Sequence, residues 1–251
     1  FTLEGTPDAT VSYSINGGAT QTIVLDATGI ATVTVVGATV DQTINLIEIV
    51  SIDNCQEDLI NTFTVVVNPK PEFTSLTAVT PICEGEDAVF TLEGTPDATV
   101  SYTLNAGATQ TVVLDASGMA TITVTGATAN QVIEITEVSK DGCTTAVGLS
   151  TTVVVNPNPQ VTALTSNTTI CEGEDAIFTI EGTPNATVTY SINGGAAQTI
   201  VLNASGIGQV SIVGVTANQN MVLSNITNGT TSCATVLNTA ASVTVLPLPT
   251  A

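Results

Sequence analysis

The chain has no histidine, no arginine and no tryptophan, and only two lysines, Lys70 and Lys140, among 251 residues. Without histidine there is no Ser–His or Cys–His nucleophile and no imidazole metal ligand. Without a cluster of basic side chains there is no surface for phosphate, DNA or RNA. The 22 acidic residues bring the formal net charge to -20. A polyanion of this kind is repelled by nucleic acid and by anionic lipid headgroups. No apolar run approaches the roughly 18 residues that a membrane helix requires, so no direct membrane insertion is expected. Nor does a basic stretch followed by an apolar one open the sequence. The signal of an exported chain would then lie outside these residues.

What is present is a chain that is 43% hydrophobic and only 10% charged. It is rich in valine, isoleucine and threonine, the residue types that suit a pleated, half-buried surface. Aromatic residues make up 3%, so a core must be built from Val, Ile, Leu and Ala.

The sequence repeats. Phe1–Tyr13 reads FTLEGTPDATVSY, Phe90–Tyr102 is identical, and Phe178–Tyr190 reads FTIEGTPNATVTY, at offsets of 89 and 88 residues. Ile82–Ala88 returns as Ile170–Ala176, and Val65–Pro69 as Val153–Pro157. A period of about 88 residues is too long for a solenoid coil and suits a small β-domain. Pro69-Lys70-Pro71, Pro157-Asn158-Pro159 and Pro247-Leu248-Pro249 punctuate the repeats. Proline fixes φ and pushes the preceding residue to extended backbone, so each junction reads as a short stiff connector. The expected units are 1–70, 71–158 and 159–251, the first lacking about 18 residues at its start relative to the second.

Within unit two, Val100, Tyr102 and Leu104 alternate with polar residues, as do Ala120, Ile122 and Val124. This period of two marks strands with one buried face. Asn105-Ala106-Gly107, Asp115–Gly118 and Lys140-Asp141-Gly142 supply turns. Val132–Val138 reads as a strand whose buried face the alternation does not reveal. Seven or so short strands at this spacing, with no helical period, predict an all-β fold: tandem immunoglobulin-like Greek-key β-sandwiches joined by the Pro-x-Pro linkers.

The five cysteines follow the repeat. Units two and three hold two each, which predicts the bridges Cys83–Cys143 and Cys171–Cys233. Cys55 aligns with Cys143, and its partner would fall just upstream of Phe1. Each bridge would close a loop of about 60 residues and contribute roughly 4 kcal/mol. Paired cysteines in a histidine-free chain point to an oxidising compartment.

The motifs Cys-Glu-Gly-Glu, Tyr-x-Ile/Leu-Asn-Gly/Ala-Gly-x-x-Gln-Thr and Asp-Gly-Cys-Thr resemble Ig-like repeats in giant secreted surface proteins of Bacteroidota. These include gliding-motility adhesins of the SprB type and other type IX secretion cargo. The resemblance covers all three units and implies export to the cell surface, anchoring through a region absent from this segment, and a stalk or adhesive role. It carries over no active-site residue.

Two constellations of side chains bear on chemistry. Glu84, Glu86 and Asp87 recur as Glu172, Glu174 and Asp175. Hard oxygen ligands in a turn could take Ca²⁺, but the ligand series of known calcium loops is absent, and the alternative is a solvated acidic loop. No other cofactor is expected. Paired carboxylates also serve glycoside hydrolysis, yet a sugar cleft wants aromatics that this chain lacks, so no enzyme is expected. Tyr13, Tyr102 and Tyr190 share one repeat position and read as core tyrosines with the hydroxyl at the rim. The expectation is a structural and adhesive segment acting as a stiff stalk, partnered by other repeats of the same chain and by a surface glycan or protein. A self-assembling filament or sheath subunit and a carbohydrate-binding module are the alternatives.

Overall fold

The structure, a computed structural model, describes residues 1–249. These residues form strands and turns with no helix among them. Their apolar side chains gather in three separate cores, one in each repeat. Unit one holds β1 (Thr2–Glu4), β2 (Thr10–Ile15), β3 (Gln21–Val24), β4 (Ile30–Thr32), β5 (Gln42–Val50), β6 (Gln56–Asp58) and β7 (Thr62–Val65). Unit two holds β8 (Phe73–Ala78), β9 (Ile82–Cys83), β10 (Ala88–Gly94), β11 (Thr99–Leu104), β12 (Gln110–Val113), β13 (Met119–Val124), β14 (Gln131–Lys140), β15 (Cys143–Val153) and β16 (Val155–Asn156). Unit three holds β17 (Val161–Ser166), β18 (Thr169–Cys171), β19 (Ala176–Gly182), β20 (Thr187–Ile192), β21 (Gln198–Val201), β22 (Ile207–Ile212), β23 (Gln219–Thr227) and β24 (Ala234–Leu246).

Unit two is a two-sheet sandwich, with order β13-β10-β8 in one sheet and β12-β11-β14-β15 in the other. The chain changes sheet between β10 and β11, again between β12 and β13, and again between β13 and β14. This is the Greek-key connectivity of an immunoglobulin-like sandwich. Unit three repeats it with β17-β19-β22 facing β24-β23-β20-β21. The chain is therefore a tandem array of immunoglobulin-like all-β units. Alternation builds each core: Ala88, Phe90 and Leu92 of β10 are fully buried, while Val89 and Thr91 are not. Unit one pairs only β1 with β4 where unit two has three strands. Phe73, Leu76 and Ala78 of β8 pack on the unit-two core. In unit one an open apolar groove of about 440 Å³, lined by Phe1, Leu3, Ile44, Leu59 and Phe63 among others, lies beside the core.

The strand whose buried face the sequence conceals is β14. Gln131, Ile133 and Ile135 point inward, and then Val138 does. The parity changes because a β-bulge lies between Ile135 and Glu137 against β15, and between Ser101 and Tyr102 against β11. One extra residue shifts every later side chain to the opposite face. The same irregularity recurs at Ser12/Tyr13 and Thr189/Tyr190, so the bulge belongs to the repeat.

Two turns explain the most repetitive polar residues. Asn105 and Ala106 both have positive φ (51° and 55°), as do Asn16–Gly17 and Asn193–Gly194. Two successive left-handed residues give the I′ geometry whose twist matches that of the flanking strands, here at the start of a five-residue connection between β11 and β12. The Asn105 amide donates to Gln131 Oε1 (2.7 Å), and its Oδ1 accepts from the Val132 N–H (2.8 Å), which pins the turn to β14. Gly118 has φ +81°, and a Cβ there would lie 2.2 Å from the Gly94 carbonyl oxygen. The tight approach is the reverse side of the Gly94 N–H to Gly118 carbonyl bond (2.9 Å).

Candidate functional site

The two ends of each sandwich are different, and the cysteines mark them. In unit two, β9 runs parallel to β16, with Cys83 beside Asn156. This is the exit end, where the chain leaves toward unit three. The β14–β15 hairpin turns at Asp141-Gly142 between Lys140 and Cys143, and this tip lies at the entry end. About 13 residues of extended chain separate Cys143 from Asn156. At roughly 3.3 Å per residue they span about 40 Å, whereas a disulfide needs Cα atoms within about 7 Å.

The structure accordingly corrects the expected bridges. Cys83 is bonded to Cys233, with Cα atoms 5.6 Å apart at a sequence separation of 150. The bond crosses from the exit end of unit two to the β23–β24 hairpin tip at the entry end of unit three. The expected Cys83–Cys143 and Cys171–Cys233 bridges are not formed, because in each unit the long closing strand holds the two cysteines at opposite ends. Cys55, Cys143 and Cys171 are free thiols in this structure.

Around the bridge the linkers are held from both sides. Asn158, between the two prolines, donates to the Glu84 carbonyl (2.8 Å), which ties the connector to unit two. Thr235 of β24 donates to the Pro159 carbonyl (2.6 Å), which ties it to unit three. Thr145 makes the same bond to Pro71 (2.7 Å) at the preceding junction. There the Asn68 amide donates to the Asp141 carbonyl (3.1 Å), and the Cys143 thiol donates to the Asn68 carbonyl (3.6 Å). Pro71 and Pro159 are buried. Reading the sequence for cysteines and prolines missed these asparagines and threonines. Asn68 and Asn158 each precede a linker proline, which was the available signal, although they are not repeat counterparts: Asn68 aligns with Asn156 and Asn158 with Lys70.

The acidic residues are used locally. Glu86 accepts from the Cys83 N–H (2.7 Å) and Asp87 from the Gly126 N–H (2.9 Å). Glu174 and Asp175 do the same for Cys171 (2.7 Å) and Gly214 (2.9 Å). Each carboxylate satisfies a backbone N–H, of a short entry strand or of a turn, that no strand partner reaches. Glu84 and Glu172 meet them in no common cluster: no group of three or more His, Cys, Asp or Glu that could hold a metal ion occurs among the described residues. Asp26 and Asp115 cap a different turn. The Thr28 hydroxyl and the Ile30 N–H hold the Asp26 carboxyl below its ordinary range, and the Ser117 hydroxyl and Met119 N–H do so for Asp115. Tyr13, Tyr102 and Tyr190 are 6–7% exposed. Their hydroxyls reach Gln21 (3.4 Å), Gln110 (3.3 Å) and Gln198 (3.2 Å) at the sheet rim. They are core residues with a wet tip.

Lys140 donates to the Pro96 carbonyl (2.6 Å) and lies 3.9 Å from Asp97, half in solvent. No helix among the described residues is long and apolar enough to cross a membrane.

No protein-family model and no curated protein sequence matches the chain. Among solved structures it is similar to a marsupial T cell receptor at 13% identity, over 71% of this chain and 74% of that one, with a TM-score of 0.49. It is similar to the Rst D1-D2 structure at 10% identity, over 71% of this chain and 100% of that one, with a TM-score of 0.40. A Salmonella alpha-2-macroglobulin mutant aligns at 12% identity and a TM-score of 0.31 over 96% of this chain, which spans only 21% of that protein. All three scores fall below 0.5, too distant to carry function.

Proposed function

We propose that the chain is a stiff structural and adhesive segment of a large extracellular bacterial surface protein. The observation that carries this reading is the Cys83–Cys233 bond, which joins two sandwiches rather than stapling either. A flexible tether would let neighbouring units rotate freely, as inter-domain contacts of modest size do by default. Here a covalent bond and a linker hydrogen-bonded to both neighbours oppose that motion. Disulfides persist in oxidising compartments, which supports an extracellular location. The resemblance of the repeat motifs to SprB-type surface proteins supports the bacterial cell surface. The net charge of -20 keeps neighbouring rods apart. The reading assigns the segment no reaction. Its partners are neighbouring repeats along the chain, and a surface glycan or protein at a distal end.

Small-angle scattering of the oxidised and reduced chain tests this. The oxidised form is expected to give one rod-like pair-distance distribution with a maximum on the order of 100 Å, from strand lengths plus loops. Reduction is expected to broaden it. An oxidised profile that already requires a spread of inter-unit angles as wide as the reduced one refutes a stiff segment.

A further inference from the structure

The junction between units one and two shares with the bridged one the threonine bond to the linker proline, Thr145 to Pro71 as Thr235 to Pro159. Asn156 is the strand neighbour of Cys83, and Cys233 is bonded there. Asn68 is the repeat counterpart of Asn156, and Cys143 the counterpart of Cys233. The Cys143 thiol sits 3.6 Å from the Asn68 carbonyl oxygen. Cys143 is therefore already docked where an entry-strand cysteine of unit one, running beside Asn68 as Cys83 runs beside Asn156, would meet it. At the far end, β18 pairs parallel with β24 and places Cys171 beside Leu246, exposed, in the position Cys83 holds in unit two. Cys55 is exposed beyond the β5 end that corresponds to the hairpin tips bearing Cys143 and Cys233.

We propose that these three cysteines are rungs of one ladder, in which the entry-strand cysteine of every repeat bonds the hairpin cysteine of the next. Cys143 takes the entry-strand cysteine of a unit one that carries that strand. Cys171 takes the hairpin cysteine of a repeat docked after unit three, and Cys55 the entry-strand cysteine of a repeat docked before unit one. The recognised partner is another repeat of this type, presented end to end. Intra-unit pairing is barred by the same separation of about 40 Å that the closing strand imposes in units two and three. Each rung forms from two protein thiols and a small-molecule disulfide. One thiolate attacks the oxidant to give a mixed disulfide, and the second displaces it. Two reduced oxidant thiols leave, carrying the two electrons and the two protons.

The test is to extend the full chain at its N-terminus with a copy of residues 72–89, which restores the entry strand and its cysteine ahead of Phe1. The product is oxidised with a glutathione redox pair, and its bridges are mapped by non-reducing peptide mass spectrometry. The expected result is a bond from the added cysteine to Cys143, with Cys83–Cys233 intact. In the monomer fraction, alkylatable thiols fall from Cys55, Cys143 and Cys171 to Cys55 and Cys171, and any disulfide-linked dimer is expected to join Cys171 of one chain to Cys55 of the next. In the extended chain bearing Cys143→Ser, the added thiol is expected to stay free. A bond from the added cysteine to Cys55, a bond of Cys83 to Cys143, or a free added thiol in a sample whose Cys83–Cys233 bond has formed overturns the ladder. The mapping reads connectivity alone, so the ladder can fail while the stalk reading stands, and the reverse.

Discussion

A bridge between neighbours should change how the chain unfolds as well as how stable it is. If unit two unfolds while unit three stays folded, the bond holds Cys83 to a fixed point, and the disordered loop from Cys83 to the Pro157 linker has roughly 75 residues. In the chain-entropy model that restriction destabilises the partly unfolded state by about 4.5 kcal/mol. Unfolding unit three alone frees a loop of about the same length, from Pro159 to Cys233, at about the same cost. Unfolding both frees one loop of about 150 residues, which costs only about 5 kcal/mol. The bond thus disfavours states with one unit unfolded by about 4 kcal/mol relative to independent behaviour. Units two and three should melt as one cooperative block when oxidised and separately when reduced, each some 10–20 °C lower, because about 5 kcal/mol is shared by a block of two units. Unit one, outside the bridge, serves as the internal control. Scanning calorimetry with and without reductant, and on Cys233→Ser, reads the number of transitions and the ratio of van't Hoff to calorimetric enthalpy. Two separate transitions for units two and three in the oxidised chain would refute the reasoning, because bridges confined within units add stability without coupling.

Further outcomes follow from the turns and cores. Ala106→Gly should stabilise unit two by about 1 kcal/mol, since a left-handed alanine costs roughly 1–2 kcal/mol and the counterpart glycines sit at φ 67° and 71°; denaturant midpoints measure it. Gly118→Ala should destabilise by more than about 2 kcal/mol, because strain at φ +81° joins a Cβ contact with the Gly94 carbonyl that cannot be relieved without breaking that turn. Phe90→Ala and Phe178→Ala should each cost about 3–5 kcal/mol, as both rings are fully buried, whereas Phe1→Ala should cost visibly less, its ring lying half-exposed along the groove. The Asp26 and Asp115 carboxyls are depressed in the folded state, so their contribution is complete above the ordinary value of 3.8 and is lost as pH falls through the lower folded value. Carboxyl NMR titration should place both midpoints below 3.8, and a midpoint at or above it contradicts the capping geometry. Unit three carries Asn203 at this turn and should show no such titration.

The sandwich is legible in the chain because most of its strands keep a strict period of two. Val100 and Tyr102 face inward as their spacing says, and so does Ile122. The strand that resists reading is the one in which a bulge resets the period. Within Gln131–Lys140 the inward set runs 131, 133, 135 and then 138, and a single parity finds no face. The polar turn residues are legible as turns but not as parts. Asp97 and Asn185 interchange freely between repeats because the position asks only for a residue that tolerates positive φ, which both have (59° and 60°). Charge conservation would be the mark of a ligand, and left-handed backbone is sufficient here. The short parallel pairs β9–β16 and β18–β24 are too brief to leave any periodic trace, yet they set which end of the sandwich each entry cysteine occupies.

The cysteines show where a repeat conceals information. Translation by one period maps every cysteine onto its counterpart, so pairing within units and pairing between successive units both respect the repeat; the first leaves only Cys55 over, the second Cys55, Cys143 and Cys171. Spacing along the chain cannot separate them, and a loop of about 60 residues looks as plausible as one of 150. What separates them is direction. A hairpin whose second strand runs 11–13 residues without interruption carries its tip the full length of the sandwich away from the residue that ends it. A cysteine at the tip and a cysteine beside the strand's end then face different neighbours. The length of Cys143–Val153 and Ala234–Leu246, rich in threonine and valine and free of proline, was visible in the sequence. Read as a ruler and not only as a strand, it excludes the intra-unit bridge and leaves the junction as the one place where two such cysteines can meet.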